Sequence, residues 1–135
     1  MDWTVSFTEL CGAAVVRTSG VFTAPEHLRM VEDIVGRQEW RPGHPILFDH
    51  RNLSFDDVRY EDMVSARDNH FAHESDIGNA RSAILMKSAA DYGVGRQFQM
   101  LVEDHAAADL QVFTDESVAR EWLFQNQEAR AEAQG

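Results

Sequence analysis

The chain has 135 residues, enough for one domain with a single buried core. Its formal charge of -11 opposes nucleic acid and anionic membrane surfaces, and of its 12 basic residues one is lysine, Lys87, and the rest are scattered arginines. No apolar run approaches the roughly 20 residues of a membrane-spanning helix, and Cys11, the single cysteine, excludes an internal disulfide.

Trp3, Val5 and Phe7 alternate with Thr4, Ser6 and Thr8, the period of a strand with one wet face. Cys11-Gly12 suits a hairpin turn, and Ala13-Ala14-Val15-Val16 begins a second strand that Gly20 ends. Thr23-Ala24-Pro25-Glu26 has the form of a helix start, with Thr23 as cap and Glu26 completing a capping box. Leu28, Val31, Ile34 and Val35 form that helix's apolar stripe, which stops near Gly36. Trp40 to Pro45 is a loop in which Trp40 either anchors a protein partner or covers the end of the first helix. Ile46-Leu47-Phe48 is a continuous apolar run, hence a central strand covered on both faces. A polar loop from Asp49 to Asp57 leads to a helix around Tyr60 to Ala72, and Asp76-Ile77-Gly78-Asn79 is a turn. Ala83 to Met86 is another buried strand. Ser88 then caps a helix whose inward residues are Val94, Phe98, Leu101 and Val102. A last strand ends at Phe113 and passes into a helix with Val118, Ala119, Trp122 and Leu123 on its apolar side.

The order β-β-α-β-α-β-α-β-α predicts one α/β domain over residues 1–126, with a polar tail over 127–135. Its sheet is mixed but mostly parallel, of four or five strands, opening on an antiparallel hairpin and carrying packed helices. Met1-Asp2-Trp3-Thr4 has neither a basic n-region nor a long apolar stretch, so no signal peptide is expected. A lone cysteine fits a reducing cytoplasm.

This arrangement resembles the SpoIIAA-like family, related to STAS domains and to the STAS/SEC14-like group. The resemblance covers about residues 3 to 124. It rests on the opening hairpin, Gly20-Val21-Phe22-Thr23, Ile46-Leu47-Phe48-Asp49, and Phe113 followed by Ala119 and Trp122-Leu123. It implies a domain that is not an enzyme. Classical STAS members are switches whose serine, in an Asp-Ser-Ser-Gly-like stretch after the central strand, is phosphorylated to control binding of a kinase or anti-sigma factor. Here that region is Ser54-Phe55-Asp56-Asp57-Val58, without an Asp-Ser-Gly triplet, and the two aspartates oppose added phosphate. Lipid or small-ligand binding is the wider group's suggested role.

Three constellations carry chemistry. Asp49 and Lys87 each follow a buried strand, so parallel pairing brings both to the carboxyl edge of the sheet, where open α/β sheets place their ligand crevice. With Arg51 and Ser88 at the next helix start, they form a candidate anion seat for a carboxylate, phosphate or lipid head group. A plain Asp49–Lys87 ion pair is the competing reading. Second, His70 and His73 are spaced i, i+3 beside Glu74, and with Asp49, His50 or His44 they are candidates for a metal-dependent or acid/base enzyme. Third, Tyr60, Met63, Phe71, Tyr92, Val94 and Phe98 exceed what a thin helical layer needs, and Met63 and Tyr92 are the candidate lining of an apolar gap. The leading expectation is a non-catalytic binding or regulatory module without a cofactor. Its ligand is small and anionic or apolar, or its partner is another protein, with homodimerisation plausible.

Overall fold

A computed structural model describes residues 1–9, 11–103 and 109–134, with 126–134 as backbone only. Strands β1 (Asp2–Phe7) and β2 (Ala14–Val21) form the expected antiparallel hairpin. Gly12 closes it at a φ of 65°, a conformation that favours glycine. Helix α1 (Ala24–Gly36) starts at Thr23, whose hydroxyl accepts from the Glu26 N–H at 3.3 Å. The capping box is not completed, because the Glu26 carboxylate pairs instead with the Met1 ammonium. The inward side of α1 is His27, Met30, Val31 and Ile34, while Leu28 lies half-buried beside it.

Strand β3 (Ile46–Ser54) corrects the expected loop from Asp49 to Asp57: it runs on through Asp49, His50, Arg51, Asn52 and Leu53. The long β2 supplies the ladder that these β-poor residues would not form alone. Arg17 pairs with Asp49 and Ser19 with Asn52, so β2 advances two residues while β3 advances three. This is a β-bulge, and it inverts the alternation of side chains. Ile46, Phe48 and His50 face one side before it, and Leu53 joins that same side after it.

Helix α2 (Tyr60–Ala72) and the short α3 (Glu74–Ile77) return the chain to β4 (Arg81–Leu85). The expected turn near Gly78 therefore follows one more helical turn. Helix α4 (Ala89–Glu103), strand β5 (Asp109–Phe113) and helix α5 (Glu116–Gln134) complete the fold. The tail expected over 127–135 continues the α5 backbone to Gln134; its side chains and Gly135 lie outside the described residues.

The five strands are ordered 1-2-3-4-5, antiparallel between β1 and β2 and parallel from β2 onward. Helices α1, α2 and α4 cover one face. Helix α5 covers the other, where Ala119 and Leu123 pack on Val15, Leu47 and Ala83. Trp40 is not an exposed anchor: it is 4% exposed, and its indole N–H donates to the Asp76 carbonyl oxygen at 2.8 Å. It joins Ile34 and Ile77 in the core at the end of α1. No helix among the described residues is long and apolar enough to cross a membrane.

Candidate functional site

Between the sheet and helices α1, α2 and α4 lies a cavity of about 60 Å³. Its walls are almost wholly apolar. Phe22, Phe48, Phe55, Met63, Val94 and Phe98 are among them, with Ser82 and three histidines, His27, His50 and His70, as the polar exceptions. All three histidines are at least nine-tenths buried. Each comes from a different element: His27 from α1, His50 from β3 at its bulge, and His70 from α2.

Hydrogen bonding fixes two of the tautomers. The Thr18 hydroxyl donates to the Asp49 carbonyl oxygen at 3.2 Å. The hydroxyl has one proton, so both of its contacts are satisfied together when His50 Nδ1–H donates to Thr18 Oγ1 at 2.7 Å, and that tautomer is assigned. The Nε2 of His50 is left as a bare acceptor. On α2, the Asn69 amide donates to the Ala24 carbonyl oxygen at 2.9 Å, which sets the side of its nitrogen. That nitrogen also donates to His27 Nδ1 at 3.0 Å, so His27 carries its proton on Nε2. Thr18 and Asn69 do not line the cavity, so these Nδ1 edges are turned away from it. The third imidazole, His70, has no protein partner for its buried Nε2.

Burial keeps these rings neutral. Desolvation pulls His27 down to about 3, with the nearby His50 and His70 lowering it further. The same desolvation holds His50 at about 4, opposed by Asp49. His70 is also lowered by burial, with Glu74 opposing. Aromatic rings pack around them: Phe22 at 5.6 Å and Phe98 at 6.1 Å from His27, and Phe48 at 5.6 Å and Phe55 at 6.0 Å from His50.

The residues expected to form an anion crevice are otherwise engaged. Asp49 lies on the opposite face of β3 from His50 and takes Arg51 in a two-pronged pair at 2.9 Å. Arg51 also reaches Glu116 of α5 at 2.7 Å. The Arg51 hydrogen bonds hold the Asp49 carboxyl below the usual carboxylate range, and Asp49 raises the Arg51 guanidinium in return. Lys87 pairs with Asp91 at 3.8 Å rather than with Asp49. The Ser88 hydroxyl accepts from the Asp91 N–H at 3.2 Å, as a helix cap does.

The residues weighed for metal or acid/base chemistry do not converge either. His70 points inward, while His73 lies outside against Asp76 at 3.2 Å and Glu32 at 3.7 Å. His44 sits at the hairpin, with Nδ1 3.2 Å from the Gly12 carbonyl oxygen. Among the described residues no three His, Cys, Asp or Glu side chains are placed to share a metal ion.

For the apolar gap, Met63 lines the cavity and Tyr92 does not, being 38% exposed on the outer side of α4. Val94 and Phe98, expected as ordinary core, are lining residues. Sequence reasoning passed over His27. The available signal was its place in the stripe His27, Met30, Val31, Ile34, where an imidazole replaces an apolar residue.

No family model matches the chain, and no curated protein matches it. Among solved structures it is similar to an uncharacterized protein of the DUF3478 family from Shewanella loihica PV-4, which has a SpoIIAA-like fold. The two are 14% identical, the match covers 90% of this chain and 92% of that one, and the TM-score is 0.60. This chain has a SpoIIAA-like fold.

Proposed function

We propose that this domain is a non-catalytic binding module whose ligand is a small, mostly apolar molecule seated in the cavity between the sheet and helices α1, α2 and α4. One observation carries the reading: an apolar cavity into which three separate elements bring neutral, buried imidazoles. A core selected only for stability would fill such a space with apolar side chains, since burying polar groups without full hydrogen bonding costs stability. A few polar groups in an otherwise apolar cavity are the usual composition of a ligand site.

The same electrostatics argue for an apolar ligand over an anion. Neutral imidazoles give little charge compensation, and a carboxylate or phosphate entering this cavity would lose its hydration. They also argue against acid/base catalysis, because groups titrating near 3 and 4 are poor bases at neutral pH.

The test is thermal denaturation with and without toluene, for the native chain and for Ala66→Leu. Ala66 lines the cavity from α2 and is 2% exposed, so leucine there occupies the ligand's space. Toluene is expected to raise the native melting temperature and to leave a folded Ala66→Leu protein unchanged. Equal shifts in both, or none in the native chain, would rule the site out.

A further inference from the structure

We infer that the ligand of this cavity carries a neutral hydroxyl group, held between the Nε2 atoms of His50 and His27. The inference rests on the cavity being the binding site and adds the chemistry it selects. His50 Nε2 is an acceptor because its Nδ1–H is committed to Thr18. His27 Nε2–H is a donor because its Nδ1 accepts from Asn69. Both rings line the cavity, and their Nδ1 edges are bound to residues outside the lining. The Nε2 edges are the ones left for a ligand.

One acceptor and one donor on opposite elements match a group that both donates and accepts. A hydroxyl does so with a single oxygen. A carboxylate only accepts, so it leaves His50 Nε2 without a donor, and it brings an uncompensated charge into an apolar space. A hydrocarbon leaves both nitrogens unmatched. His70, from α2, lines the same cavity and has a further buried nitrogen, Nε2, without a protein partner. Around these nitrogens, Phe22, Phe48, Phe55 and Phe98 offer aromatic faces and edges to the rest of the molecule. The hydrogen-bonding pattern matches a small phenol or compact alcohol, and in a cavity of about 60 Å³ a ring the size of phenol enters only as the side chains lining it give way.

Phenol, toluene and benzoate are close in size and differ at the relevant group, so they serve as probes. Their affinities are measured by titration calorimetry at pH 7.5 on the native chain and on His50→Leu and His27→Leu. Phenol is expected to bind the native chain at least tenfold more tightly than toluene, as a well-placed hydrogen bond in a dry site provides. Benzoate is expected not to bind. Either leucine variant is expected to retain toluene binding and to lose the preference for phenol, so retained toluene binding also shows that the variant is folded.

Toluene binding as tightly as phenol would overturn the hydroxyl assignment while leaving the cavity as a binding site. Benzoate binding more tightly than phenol would overturn it too, in favour of an acid. Failure of both phenol and toluene would remove the cavity reading itself. A phenol preference that survives in His50→Leu and His27→Leu would show that other groups hold the hydroxyl.

Discussion

His27 titrates in the folded chain near 3 and His50 near 4, against an ordinary value of 6.5. Between those values and 6.5 the unfolded chain binds protons that the folded chain refuses. Stability from this source is therefore complete above pH 6.5 and falls as the pH drops through the window. Each imidazole removes about 1 kcal/mol per pH unit there. Asp33, Asp49 and Glu116 are shifted the opposite way in charge terms, below ordinary values of 3.8 and 4.5, so their contribution is lost at lower pH. Urea denaturation at pH 7.5 and at pH 5 should show a clear loss, and His27→Leu should make the difference smaller. Equal stability at the two pH values would mean that the imidazoles are not desolvated. The Asp49–Arg51–Glu116 cluster predicts much less. Its arginine is 40% exposed, so Arg51→Ala should cost about 1 kcal/mol or less, a loss that shrinks with added salt. Among these residues, His50 and His70 are legible in the sequence only as titratable groups, because nothing local says which face of a strand or helix is covered.

At the scale of elements, α4 offers a matched pair of glycines. A Cβ on Gly95 would lie 2.8 Å from Val112 Cγ1 and 3.2 Å from Met86 Cε, so Gly95 is what lets the helix approach β5 and Met86, just beyond β4. A Cβ on Gly93, two residues earlier on the exposed side, would meet nothing within 4 Å. Gly95→Ala should therefore destabilise by about 1 to 3 kcal/mol through overpacking. Gly93→Ala should stabilise by up to about 1 kcal/mol, the usual gain of alanine over glycine in a helix. Opposite signs in a denaturant series check both; equal signs would contradict this packing of α4. The glycine pair was visible in the sequence, but which member touches the sheet was not, since that depends on the rotation of α4. The β3 bulge was hidden for a similar reason. Asp49, His50 and Asn52 favour loops locally, and only the length of β2 beside them keeps the segment in the sheet.

Across the whole molecule, the alternation of five strands with four of the five helices follows from hydrophobic period and turn residues and was legible in the sequence, whereas the short α3 was hidden in an expected turn and the order of strands within the sheet was not legible. Parallel strands joined by crossover helices leave few topologies open, and the chain takes the sequential one. The cavity was not legible, because its volume is set by how far three helices stand from the sheet. Its lining draws residues from Phe22 to Leu110, and no stretch of sequence contains it. The proposed small apolar ligand enters this space beside His27, His50 and His70. The most direct measurement is a long-range proton–nitrogen NMR spectrum of the histidine side chains, recorded at pH 7.5 before and after adding toluene. The ring nitrogens of His27, His50 and His70 should report neutral tautomers and shift on addition, while those of His44 and His73 stay in place. Unmoved signals from the three buried rings, or shifts confined to His44 and His73, would contradict this proposal.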